Sequence, residues 1–421
     1  MKMKIEPWFG CGLATLVTTV VAVSAAAELP NYEGSFELQV RSNIVDGFNL
    51  PPNSSFNSKT PSLADTGMVA VSLGIVAGDV DTVGLWLGGG GVGSAVWTND
   101  SGPFISDCSL NNSGLAVFPL GFASPDGLYF FDDFDGSSGL LTNKPIGSSA
   151  WTGAEVNVSG QTAFRAKFST KHAWVSYDGE VNPPYHALEI GLEPTSPYWY
   201  LYTPSFNDQR LIAGKTSLAA DHDADQIIVC DELGACTVLV EDADADPTSP
   251  FSSFANSVSL TNTGLVAFNA GLVAGGEGVF LTDGMTTLTI ADTTMPEISA
   301  IDFFGPSAND SGQVVFRAFD DTGLMAIFVG DGQGLARVVS EHDLVPTDLG
   351  EGRIDQHDSS VVFGGAPDIN NAGDVAFIAT LTPADNNQIE WGSGLFIAYG
   401  SRIFADGFES GDTGAWAVTS P

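Results

Sequence analysis

The chain has 421 residues, of which 49 are glycine, 43% are hydrophobic and 15% are charged, and its formal net charge is −37. A chain this long and apolar can bury a large core, which argues against a disordered protein. So large a negative charge repels phosphate backbones and anionic lipid, which argues against nucleic acid and acidic membrane surfaces as partners.

Residues 1–27 read as a secretory signal. Lys2 and Lys4 precede an apolar run, and Ala25, Ala26 and Ala27 supply a small-residue cleavage site. The run is short for a membrane span, and no later segment is long and apolar enough for one. Cleavage would remove two lysines and one glutamate and leave the mature chain at −38.

Residues 28–402 read as one repeat domain. A phrase recurs along it: "LADTGMVAV" at Leu63, "LNNSGLAVF" at Leu110, "VNVSGQTAF" at Val156, "LTNTGLVAF" at Leu260, "ANDSGQVVF" at Ala308 and "INNAGDVAF" at Ile369. A degenerate copy, "FNDQRLIAG" at Phe206, carries Arg210 where the others carry Gly67, Gly114, Gly160, Gly264, Gly312 or Gly373. The Asn or Asp closes a turn on its own backbone, and the glycine accepts a left-handed conformation. The apolar run that follows has no polar alternation, so it predicts a strand buried on both faces. Further strands follow each phrase, such as "EGVFLTDG" at Glu277 and "TTLTIAD" at Thr286. A period near fifty residues predicts an all-β propeller of about seven blades, each of three to four antiparallel strands. Before the first phrase, Ser35–Gly47 predicts an outer strand that completes the last blade and closes the ring. "LGGGGVGS" at Leu87 links two strands rather than opening a helix, so it does not cradle phosphate.

These copies resemble secreted bacterial proteins built from a tandem N-x-x-G-x-x-A-F repeat with a variable C-terminal anchor. The resemblance covers roughly residues 36–400 and departs at Ala64, Arg210 and Thr261. It implies export and a repeat fold, and it implies no reaction. Residues 403–421 form a separate tail. "DGFESGDTGAW" within it resembles a short signature on exported proteins of some Gram-negative bacteria, which implies sorting or surface retention; the alternative reading of the tail is a flexible end or a last edge strand.

Candidate chemistry is sparse. Two acidic runs supply Asp221, Asp223 and Asp225, then Asp242, Asp244 and Asp246 beside Glu241. Alternating carboxylates can converge on calcium, which takes six to eight oxygens, although neither run has the glycine and distal glutamate of a full calcium loop. Between the runs, Cys230 and Cys236 flank a short turn and predict a disulfide, as an exported protein permits. Cys108 reads as a buried thiol. His172, His186, His222, His342 and His357 read mainly as surface residues, with "SEHD" and "DQHD" placing His342 and His357 beside carboxylates. Tyr185, Tyr198, Trp199, Tyr200 and Tyr202 lie in a proline-rich stretch that reads as loop packing or an aromatic grip on a ligand. No motif supplies a nucleophile, a zinc-protease helix or a nucleotide loop. The expectation is a monomeric, non-enzymatic protein, secreted or at the cell surface, that binds a glycan or a protein. The alternative is a secreted polysaccharide hydrolase or lyase acting at the propeller axis.

Overall fold

A computed structural model describes residues 29–400, apart from residues 57, 78–79, 101–103, 122–125, 145–146, 149, 169–170, 179–185, 189–196, 222 and 357–360. The signal, the tail, Tyr185, His222 and His357 therefore lie outside the described residues, as does the side chain of His186. The described secondary structure is all β, in seven separate antiparallel sheets. No helix among the described residues is long and apolar enough to cross a membrane.

The sheet spanning 251–292 shows the common plan. Phe251–Leu260, Val266–Leu272, Glu277–Thr282 and Thr287–Asp292 pair in that order as a four-stranded meander. Each phrase forms the turn between a first and a second strand. Its glycines have φ between 78° and 87°, and Arg210 takes the same left-handed conformation at 65°. A non-glycine residue there carries roughly 1–2 kcal/mol of strain. Arg210 offsets part of this through Glu232, 2.7 Å from its guanidinium.

The apolar run after each turn is buried on both sides, as its sequence predicts. Val266, Ala267 and Phe268 are fully buried, as are Val314, Val315 and Phe316. Three phrase aromatics face another on the third strand: Phe268 against Phe280, Phe316 against Phe328 and Phe377 against Phe396, with ring centroids 5.6, 5.9 and 5.5 Å apart. Such stacked pairs add about 0.5–1.5 kcal/mol beyond the apolar area they bury.

The described core divides into seven clusters, and each joins one blade to the next. One of them joins the last blade to the first, through Ile378, Leu395 and Ile397 against Val69 and Val71. The arrangement is a closed ring of seven blades. As expected, Phe36–Arg41 is the outer strand of the last blade, pairing antiparallel with Gly392–Ala398.

Cys230 and Cys236 are bonded and oppose each other across the hairpin of Asp225–Cys230 and Cys236–Glu241. The closed loop is short, so reduction or Cys236→Ser should lower stability by about 2 kcal/mol. Urea unfolding with and without reductant checks this. Cys108 is buried and unpaired, and burial pushes its thiol up to about 12, which makes it unreactive.

A candidate ligand site at the axial mouth

The first strand of every blade borders a central channel. One opening lies at the phrase turns, and the turns bond one another around it. The second residue of each turn donates its backbone N–H to the side chain at the same place in the next blade. Asp65 donates to Asn112, Asp208 to Asn262, Asn262 to Asp310, Asp310 to Asn371, and Asn371 back to Asp65, at 2.7–2.9 Å. Val158 donates to Asp208 but has no side-chain acceptor of its own, so the ring lacks its bond from Asn112. Each bond contributes about 1 kcal/mol, and together they fix the register of blades around the axis.

Deeper in the channel lies a second ring, formed by Ser62, Ser109, Glu155, Ser205, Ser259, Ser307 and Asp368. Each stands five positions before its phrase glycine, or before Arg210. At six of these positions the side-chain oxygen accepts a backbone N–H from the following blade, whereas the Ser307 hydroxyl donates to Asp368. Ser62 accepts from Leu110, Ser109 from Val156, Glu155 from Phe206 and Asp368 from Leu63, at 2.6–3.1 Å. Five positions use a serine; blades three and seven use a carboxylate.

Glu155 also accepts from the Ser205 hydroxyl at 3.1 Å through the same Oε2. Desolvation in the channel raises its carboxyl from 4.5 to about 7, although the residue is only half-buried, and the charge of Asp368 adds to the rise. Burial raises Asp368 in the same direction, against hydrogen bonds from Leu63, Ser307 and Ile369.

The channel around this ring has a volume of about 500 Å³, and its mouth opposite the phrase turns is bordered by Thr60, Asp107, Gly153, Thr203, Phe304 and Ala366. A neighbouring hollow of about 250 Å³ is lined by Phe254, Asn269, Glu277, Asp302 and Phe303. Phe303 and Phe304 stand where the first strand of the sixth blade is interrupted, between Ile298–Ile301 and Ser307–Ala308. Phe303 is 79% exposed and its ring stacks on Phe304 at 4.6 Å. The loop beneath is rigidly held. Asn269 Nδ2 donates to the carbonyls of Asp302 and Phe304, at 3.2 and 2.8 Å. Arg317, 4.3 Å over Phe304, is buried in an ion pair with Asp302 at 2.6 Å.

The acidic runs are built into the fourth blade. Asp225 is buried, ion-paired to Lys215 at 2.6 Å and bonded to the Ser217 hydroxyl. Its N–H donates to buried Asp242, which also accepts from Ala245 and closes a turn. The two runs thus meet at one end of the blade, through Asp225 and Asp242. Asp246 caps Thr248, and Asp221 and Asp223 are exposed. No three carboxylates of these runs converge on a common point among the described residues. The group that does is Glu341, His342 and Asp355. His342 Nε2 lies 3.9 Å from Glu341 and 3.7 Å from Asp355.

Of the aromatic stretch, Tyr200 and Tyr202 pack inward. The Tyr200 ring lies 4.1 Å from His172 and 4.6 Å from Tyr202. Contrary to the expectation of a surface histidine, His172 is 3% exposed, because it stands on the third strand of the third blade. Trp199 keeps 44% of its surface exposed. The glycine-rich Gly88–Gly93 hairpin borders a cavity of about 860 Å³ on the phrase face. Asp65, Asp133, Asp374 and Tyr399 also line it.

A family model matches residues 156–405, more than half of the chain. The chain belongs to the family of unknown function DUF7453. No curated protein matches this DUF7453 chain in sequence. Among solved structures, an oligogalacturonate lyase in complex with manganese is similar over 87% of this chain and 97% of its own, at 11% identity and a TM-score of 0.51. A puromycin-hydrolysing peptidase of Mycobacterium tuberculosis is similar over 86% of this chain and 56% of its own, at 12% identity and a TM-score of 0.50. TolB from Acinetobacter baumannii is 15% identical with a TM-score of 0.43, and the match spans 64% of this chain and 63% of TolB. At these identities the likeness is one of fold alone.

Proposed function

We propose that this chain is an exported, monomeric, non-enzymatic propeller that binds a neutral or amino-sugar glycan at the wide mouth of its axial channel. The observation that carries the reading is Phe303, an exposed ring fixed on a braced loop beside a hollow that also presents Asn269, Glu277 and Asp302. Aromatic faces stack on the apolar face of a sugar ring, while serine hydroxyls and carboxylates bond its hydroxyls. Glu155 and Asp368 disfavour acidic polymers, so the galacturonate chemistry in the neighbour's name does not carry over. Export is supported by the N-terminal signal pattern, by the resemblance to secreted repeat proteins and by a disulfide suited to an oxidising compartment. Each blade keeps only a short outer edge strand, which supports a monomer.

A glycan array probed with residues 28–421 tests the reading. Phe303→Ala should weaken binding of a retained glycan about tenfold, equivalent to about 1.4 kcal/mol. The melting temperature should hold, because so exposed a ring contributes little to the core. Equal retention by both proteins would reject the site.

A second reading is a polysaccharide hydrolase or lyase. Glu155 favours it, since a carboxyl near 7 can give or take a proton at neutral pH. Product release from oligosaccharides by the wild type, absent in Glu155→Gln, would decide for this reading.

A further inference from the structure

We infer that Glu341, His342 and Asp355 form a site for one first-row divalent metal ion such as manganese or zinc. The site is separate from the axial mouth and does not depend on the glycan reading. Glu341 and His342 follow the outer strand of the sixth blade, Leu335–Ser340, and Asp355 follows Gly350–Ile354 in the seventh. A backbone bond from His342 N–H to the Ile354 carbonyl, 2.6 Å, ties the two segments together.

One potential ligand atom from each residue lies within 4.8 Å of the other two. Donors around a single ion at about 2.0–2.2 Å stand roughly 3–4 Å apart, so small side-chain shifts would complete the set. One imidazole with two carboxylates suits manganese, iron or zinc better than calcium, which prefers an all-oxygen shell. His342 is 41% exposed, which leaves the remaining coordination positions open to water.

A second observation points to a cation. Asp355 is 4% exposed, and its Oδ2 is buried without a hydrogen-bond partner. Arg353 Nε lies 3.1 Å away but is not aligned to donate. Arg353 meets the charge of this carboxylate, but a buried oxygen short of a hydrogen bond is still costly, and a bound cation would reduce the cost.

The site also sits at the base of the hairpin Leu344–Thr347 and Gly350–Ile354, whose tip residue Asp348 grips Arg41 of the ring-closing strand. A metal here would brace that closure, so binding should raise thermal stability.

The test uses residues 28–421 stripped with EDTA and titrated with manganese, with the bound ion counted by electron paramagnetic resonance and competed with zinc or calcium. His342→Asn is the informative variant, because asparagine tolerates the left-handed backbone at this position, φ 75°. The expected result is one manganese per chain, displaced by zinc more readily than by calcium. His342→Asn should weaken binding about tenfold or more and abolish the metal-dependent rise in melting temperature. Asp355→Asn should do the same. Absence of stoichiometric binding would overturn the inference. So would binding that survives His342→Asn, or binding lost instead on Asp242→Asn, which would assign the ion to the acidic runs.

Discussion

Replacing Arg41 with alanine is expected to lower stability by about 3–5 kcal/mol, the loss typical of breaking a buried charge pair from one side. The Arg41 side chain is fully buried and makes a bidentate pair with Asp348, at 2.8 and 2.9 Å. It also donates to the carbonyls of Val45, Asp46 and Trp391, at 2.5, 2.6 and 2.7 Å. Those acceptors belong to the loop after the closing strand and to the approach to the last strand of the same blade. Truncation leaves them without a donor inside the protein and leaves Asp348 without its cation. Urea unfolding measures the loss. A change under about 1 kcal/mol would mean that water replaces the guanidinium and that closure rests on apolar contacts alone.

Glu155→Gln should change how stability depends on pH. Burial raises the folded-state carboxyl from 4.5 to about 7, so the folded chain holds this proton more tightly than the unfolded chain. The resulting stability is fully present below about pH 4.5 and is lost as pH rises through about 7. At roughly 1.4 kcal/mol per pKa unit, the wild type loses about 3 kcal/mol from this group across that window. Asp368 adds a loss of the same sign. Glutamine keeps an acceptor for Phe206 and Ser205 and never ionises. The variant should match the wild type near pH 4.5 and exceed it by up to about 3 kcal/mol at pH 8. Parallel stability profiles for the two proteins would show that Glu155 is solvated in the channel.

The ring was legible in the sequence because each blade needs the same turn and the same doubly buried strand. Asn or Asp, glycine and the following apolar run report that directly, and Arg210 shows that the turn survives one substitution. The closing strand and the Cys230–Cys236 hairpin were legible for the same local reason. The axial carboxylates were not, because Glu155 and Asp368 stand alone in their segments while dense acidic runs drew attention. Their signal was positional, five residues before the phrase glycine, where Thr60-Pro61-Ser62, Thr203-Pro204-Ser205, Gly305-Pro306-Ser307 and Ala366-Pro367-Asp368 recur in register. Phe303 carries no such mark, since its exposure depends on a strand interruption. The words "SEHD" and "DQHD" each pair a histidine with a carboxylate locally. The fold instead joins His342 of the first to Asp355 of the second across a hairpin.

Hydrogen–deuterium exchange with a glycan retained on the array tests the axial-mouth reading most directly. Protection should appear at residues 303–307 and 257–259, with little change at the phrase turns. Protection confined to residues 198–202 or to the phrase face, or the absence of any retained glycan, would contradict it.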